Sequence, residues 1–81
     1  MTQRAHVFET VRRNILEVLP GLTPDMVSEQ KSLTDLGANS VDRMEVVTMS
    51  MQDLGLSIPL LGFARVSNIA GLVDVFVEHL P

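Results

Sequence analysis

Ser40 is the residue of this chain whose type and position could carry chemistry. It stands in "DLGANSVDRMEVV", residues 35–47, behind a Leu-Gly-Ala-Asn turn and ahead of an apolar, partly acidic run. Three roles are open to it: helix cap, nucleophile, or attachment point for another group. A nucleophilic serine needs a base and an oxyanion hole, with its hydroxyl presented on a strained elbow such as G-x-S-x-G. Ser40 is instead flanked by Asn39 and Val41, and the only histidines, His6 and His79, lie near the two termini. Hydrolase chemistry therefore has no support. Capping is the ordinary duty of a serine in a first helical turn, but Asn39 is already a good cap. Asp35, Asp42 and Glu45 lack the dense alternating carboxylates of a calcium loop, and no glycine-rich phosphate cradle is present, so no metal or phosphate site is expected from them. They read as a solvated helix face.

The elements that must position Ser40 follow from periodicity. Phe8, Val11, Ile15, Val18 and Leu19 recur at helical spacing and Pro20-Gly21 ends the pattern, which predicts a first helix over about residues 3–19. A long connection, "GLTPDMVSEQKSLTDLGAN", follows, with Leu22, Met26, Val27, Leu33 and Leu36 spaced to anchor it on a core. A second helix is predicted from Ser40 to Leu54, capped by Asn39 and stopped by Gly55. The segment "LSIPLLGFARV" leaves room for only a short helical turn between Pro59 and Gly62. Ser67 or Asn68 then caps a last helix bearing Ile69, Leu72, Val73, Phe76 and Leu80. The expected fold is all-α, a small four-helix bundle of three main helices and a short third one, with a long first loop. No alternating strand pattern and no repeat is present.

Composition restricts the function classes. The 81 residues are 46% hydrophobic and 20% charged, which suits one thin-cored globular domain, 1–81, and argues against disorder. No apolar run approaches the roughly 20 residues needed to span a bilayer. The opening "MTQRAHVFETVRR" lacks the continuous apolar core of a signal peptide, so a cytoplasmic location is expected. Six basic residues stand against ten acidic ones, for a net charge of -4. Nucleic acid, which demands clustered cations, is an unlikely partner, and a basic protein surface is a better complement. With no cysteine, any reactive sulfur must be brought in.

A wheel of the second helix at about 100° per residue places Val46, Val47, Ser50 and Leu54 on a core face and Asp42, Glu45, Gln52 and Asp53 opposite. Val41, Met44 and Thr48 form a stripe beside Ser40. Such a stripe suits partner docking, although Met44 would serve core packing equally well. The wheel sets Arg43 nearer the core side, with its stem expected to pack and its charge to reach solvent.

These residues resemble the attachment site of acyl carrier proteins, whose pattern is D-x-G-x-D-S-L followed by an acidic helix. The likeness runs the whole chain, through "IPLLGFARVSNIAGLVDVF" to the last helix, and is greatest to the discrete carriers of polyketide β-branching cassettes. The resemblance implies a carrier and not an enzyme. It implies that Ser40 bears 4'-phosphopantetheine, taken from coenzyme A, with Asp35, Leu36, Gly37 and Asn39 forming the attachment turn. Val41, Asp42, Met44, Glu45 and Thr48 fall where the family meets its partners. Asn39 stands where aspartate is usual and Val41 where leucine is usual. The implied partners are a phosphopantetheinyl transferase, an acyltransferase, a decarboxylating ketosynthase-like enzyme and an HMG-CoA-synthase-like enzyme, served by a monomer. The implied role is acetyl donor in antibiotic-type polyketide β-branching, because acceptor carriers tend to bear a tryptophan six positions after the modified serine, where this chain has Val46. The other readings are an ordinary polyketide or fatty-acid carrier and a non-covalent helical adaptor. Ending at Pro81 just after the last helix, the chain is expected to be free-standing.

Overall fold

A computed structural model describes residues 2–81. Three α-helices are present among them: α1, Gln3–Val18; α2, Ser40–Leu54; and α3, Ile69–Glu78. The expected short third helix is a single 3-10 turn, Leu60–Phe63, and a second such turn, Pro24–Met26, lies in the long loop. The all-α expectation holds, with three full helices and not four. Pro59 and Gly62 explain the difference, since both oppose the propagation of an α-helix.

Each helix starts on a side chain that accepts an orphan backbone N–H. Thr2 Oγ1 accepts from Ala5 at 3.1 Å, Asn39 Oδ1 from Asp42 at 2.8 Å, and Asn68 Oδ1 from Gly71 at 2.8 Å. Of the two expected caps for α3, Asn68 is thus the one used. Gly55 closes α2 in the left-handed region, φ 68°, where a β-carbon would be strained.

The core is a stripe on α1, Val7, Val11 and Ile15, meeting Ile69, Leu72, Val73 and Phe76 of α3 and Val46 of α2, all buried. The stripe runs i, i+4, i+8, so it begins at Val7 and not at Phe8. Phe8 is half-buried at its edge, under the Arg12 guanidinium at 5.8 Å. Val18 and Leu19 are also only half-buried, as are Val47 and Leu54 of the expected α2 core face. α1 packs on both α2 and α3, which touch each other far less. The 3-10 turn is pinned across this gap by Phe63, edge-on to Phe76 at 5.7 Å.

A buried polar contact ties α1 to α2. Asn14 Nδ2 donates to Ser50 Oγ at 3.1 Å and to Asp53 Oδ2 at 3.0 Å, and Arg13 reaches the same carboxylate. Asp53 therefore faces α1 and not the outer side expected for it. It lies three residues beyond Ser50, so the two share a side. The Asn14 amide, followed by Arg13, holds the Asp53 carboxyl below its ordinary value.

The long loop is anchored by buried Val27 and Ala38. Its backbone also finishes α3: the carbonyls of Lys31 and Glu29 accept from Ile69 and Ala70, each at 2.9 Å. Those N–H groups belong to the first turn of α3 and have no partner within the helix. Arg4 of α1 ties the same two parts to its own helix, pairing with Glu29 of the loop and Asp74 of α3.

Candidate functional site

The turn before Ser40 is built from two successive boxes of the same kind. Ser32 N donates to Asp35 Oδ2 at 3.0 Å and Asp35 N to Ser32 Oγ at 2.9 Å. Ser32 is also what holds the Asp35 carboxyl below its ordinary value, first through its backbone N–H and then through its hydroxyl. Leu36 packs against the core, and Gly37 turns the chain at φ 96°, a conformation that L side chains rarely adopt. Ala38 N returns to the Leu33 carbonyl at 3.0 Å, closing the loop on itself. Asn39 and Asp42 then form the second box: Asp42 N donates to Asn39 Oδ1 and Asn39 N to Asp42 Oδ2 at 3.1 Å.

This arrangement frees Ser40. It is the first residue of α2 and exposed, and its hydroxyl has no hydrogen-bond partner among the described residues, because Asn39 does the capping. The backbone N–H groups of Ser40 and Val41 likewise lack a partner among the described residues. A helix N-terminus with free N–H groups favours an anion such as a phosphodiester. The residues present therefore fit a phosphate-linked group on the serine oxygen.

Beside Ser40, the side of α2 away from α1 is apolar and open. Val41 is 63% exposed and Met44 45%, which answers the open question about Met44: it is not core. Together with Ser40, Glu45, Thr48 and Met49 they line one shallow groove. Met49 is the one lining residue that the helix wheel does not set in the stripe or beside it. Asp42 does not line the groove, and its carboxylate is partly committed to the Asn39 N–H. Neither His6 nor His79 lines the groove. Leu60 and Leu61 of the 3-10 turn are also exposed, and no periodicity in so short a segment signals this.

A second depression, of about 260 Å³, opens between α2, α3 and residues 32–34. Leu33, Val47, Phe63, Ile69 and Leu72 form its apolar floor, while Thr34, Arg43, Ser67 and Asn68 form a polar rim. Arg43 is exposed there and its Nη1 donates to Thr34 Oγ1 at 3.0 Å. It lines the cavity, and its charge reaches solvent.

Residues 9–76 match the family described as the phosphopantetheine attachment site. The chain is 40% identical over 77 residues to the polyketide biosynthesis acyl-carrier-protein AcpK of Bacillus subtilis, covering 95% of this chain and 94% of that one. The chain belongs to the acyl carrier protein family. It is also 33% identical to an acyl carrier protein of Zymomonas mobilis, covering 88% of this chain and 91% of that one. An acyl carrier protein of Campylobacter hominis is 35% identical, at 91% and 92% coverage. No solved structure gives a significant match. As a family member the carrier takes a covalent 4'-phosphopantetheine group from coenzyme A and is not an enzyme. No helix among the described residues is long and apolar enough to cross a membrane.

Proposed function

We propose that Ser40 bears the 4'-phosphopantetheine through a phosphodiester, and that residues 1–81 act as one carrier domain donating acetyl in polyketide β-branching. The observation that carries the attachment reading is a serine hydroxyl exposed at the head of α2 while its neighbour Asn39 does the capping. When bound, the group supplies the terminal thiol on which acyl groups ride as thioesters, chemistry this cysteine-free chain lacks. Asp35, Leu36, Gly37 and Asn39 hold the turn that presents the hydroxyl. A flexible tether raises the effective concentration of its cargo at each active site it visits.

The groove of Val41, Met44, Glu45 and Thr48, with Asp42 next to it in sequence, is the docking surface in this reading. Its partners are a phosphopantetheinyl transferase, an acyltransferase, a decarboxylating ketosynthase-like enzyme that makes acetyl from malonyl, and an HMG-CoA-synthase-like enzyme. Opposite charge steers such encounters mainly through the association rate. The likeness to a polyketide biosynthesis carrier supports the pathway class, and Val46 in place of a tryptophan supports donor over acceptor.

The test is to load the carrier with acetyl and, separately, with a β-ketoacyl chain, and to supply each to a cassette synthase opposite a suitable partner carrier. Condensation from the acetyl form is expected. Condensation from the β-ketoacyl form alone makes this an acceptor. The resemblance to the Zymomonas and Campylobacter acyl carrier proteins favours a second reading, an ordinary chain-extension carrier. That reading predicts no condensation from either form.

A further inference from the structure

Lys31 is the only lysine of the chain, and the other basic residues are arginines, whose guanidinium groups stay protonated and are poor acyl acceptors. Its side chain is exposed and forms no ion pair among the described residues. Its backbone is fixed at both ends: Lys31 N donates to the Ser28 carbonyl at 3.2 Å, and Lys31 O accepts from Ile69 N at 2.9 Å. Behind the Ser32 backbone and hydroxyl, the Lys31 charge also lowers the Asp35 carboxyl, which belongs to the turn before Ser40. The hydrogen bond from Ala38 N to Leu33 O, 3.0 Å long, folds that turn back on the loop. With two peptide steps of 3.8 Å on either side of this bond, the Cα atoms of Lys31 and Ser40 lie within about 22 Å of each other. The phosphopantetheine arm is about as long as five extended residues, or about 17 Å. The serine side chain and the four-carbon stem of the lysine supply the rest, so the end of the arm reaches the ammonium.

Resting on the reading of Ser40 as the attachment point, we propose that Lys31 is a self-acylation site, taking the acyl group from the thioester on the same molecule's arm. The unprotonated Nζ attacks the thioester carbonyl and the C–S bond breaks. The arm recovers its thiol, the amine's surplus proton passes to solvent, and the acyl group stays on Nζ as an amide. No oxidant, metal or second enzyme is needed, because the thioester is itself the activated acyl donor. The tether holds it around Lys31 at an effective concentration on the order of millimolar, well above that of an untethered donor in a dilute solution of carrier. The product has an empty arm and has lost the one ammonium beside the attachment turn, which makes the net charge of -4 more negative by one. A carrier left loaded without a partner thus discharges itself and keeps a record of having done so.

The test loads the whole chain with an acetylated arm, using acetyl-coenzyme A and a phosphopantetheinyl transferase. Intact mass first establishes a single load, and excess donor is removed. After incubation at mildly alkaline pH, hydroxylamine is added, which cleaves thioesters and leaves amides. The expected result is acetyl retained on the carrier and mapped to Lys31 by peptide fragmentation. Its yield should rise with pH, because the unprotonated amine is the nucleophile, and its rate should be unchanged on dilution, as an intramolecular step requires. Lys31→Arg should load equally and retain no acetyl. A control incubates the Ser40→Ala chain with free S-acetyl-pantetheine at the carrier's concentration, and Lys31 should stay unmodified over the same time. Loss of acetyl by hydrolysis alone overturns the inference, as does retained acetyl on the N-terminal amine or acetyl that survives Lys31→Arg. A rate that falls on dilution, or a control acetylated as fast as the loaded carrier, removes the tether from the account and also overturns it. Failure of the arm to attach defeats the Ser40 reading and this inference together, whereas a loaded carrier with no amide at Lys31 defeats this inference alone.

Discussion

The division of labour between Asn39 and Ser40 yields a contrast of stabilities. Asn39→Ala removes the acceptor of the Asp42 N–H, a 2.8 Å bond, and leaves the reverse bond from Asn39 N to Asp42 intact. Loss of such a cap costs about 1 kcal/mol, within a range of about 0.5–2. For a domain of about 60–100 residues that is a fall in Tm of about 4–8 °C. Asn39→Asp keeps the acceptor and adds a charge at the helix N-terminus worth about 0.3–1 kcal/mol, opposed by Asp42 nearby, so Tm should stay within a few degrees of the parent. Ser40→Ala removes an exposed hydroxyl with no partner among the described residues and should change stability by less than about 0.5 kcal/mol. The chain has no tryptophan or tyrosine, so thermal unfolding is followed by far-ultraviolet circular dichroism. If Ser40→Ala lowered Tm as much as Asn39→Ala, the serine would be a structural cap and the reasoning that frees it for modification would fail.

Asn14→Ala should cost about 1–3 kcal/mol, because it strands the fully buried Ser50 hydroxyl; a change in Tm under a degree would show that water replaces the amide. Gly37→Ala should cost about 1–2 kcal/mol from its left-handed backbone alone, since an added β-carbon meets nothing within 4 Å; equal stability would mean that the turn relaxes. Asp25, Asp35 and Asp53 all have depressed folded-state pKa values, their largest causes being Thr23, the Ser32 backbone and Asn14. Their contribution is present above the unfolded value of about 3.9 and lost as pH falls through the lower folded values. Tm should therefore drop on acidification below about pH 4, and a flat acid limb would contradict those hydrogen bonds. Glu45→Lys should slow association with basic partners and weaken its salt dependence. It is a cleaner probe than Asp42, whose replacement also opens the capping box.

Helix α2 could be read from the sequence because its signals are local. Asn39 three residues before Asp42 is a capping pattern, and Gly55 is a stop, whatever the rest of the fold does. The contacts that could not be read are those in which sequence-distant groups meet. Asn14 and Ser50 are 36 positions apart, and a wheel treats each as an isolated polar residue on an apolar face. The support of α3 by the loop uses the carbonyls of Glu29 and Lys31, which every residue possesses, so side-chain identity carries no trace of it. The attachment turn stands between these cases. Gly37 and Asn39 announce a turn, whereas the bond from Asp35 to Ser32 sets its shape and emerges only when the turn is closed. The helix wheel sets Arg43 near the core side, but the cavity it lines needs α3 and Phe63 to exist at all.

The most direct measurement on the central claim is the intact mass of the carrier after incubation with coenzyme A and a phosphopantetheinyl transferase. A single added phosphopantetheine is predicted on the parent chain and none on Ser40→Ala, with that variant retaining the helical dichroism of the parent. No addition to the parent would leave a helical adaptor that docks through Val41 and Met44 without a prosthetic group. Addition to the Ser40→Ala variant would move the attachment to another residue.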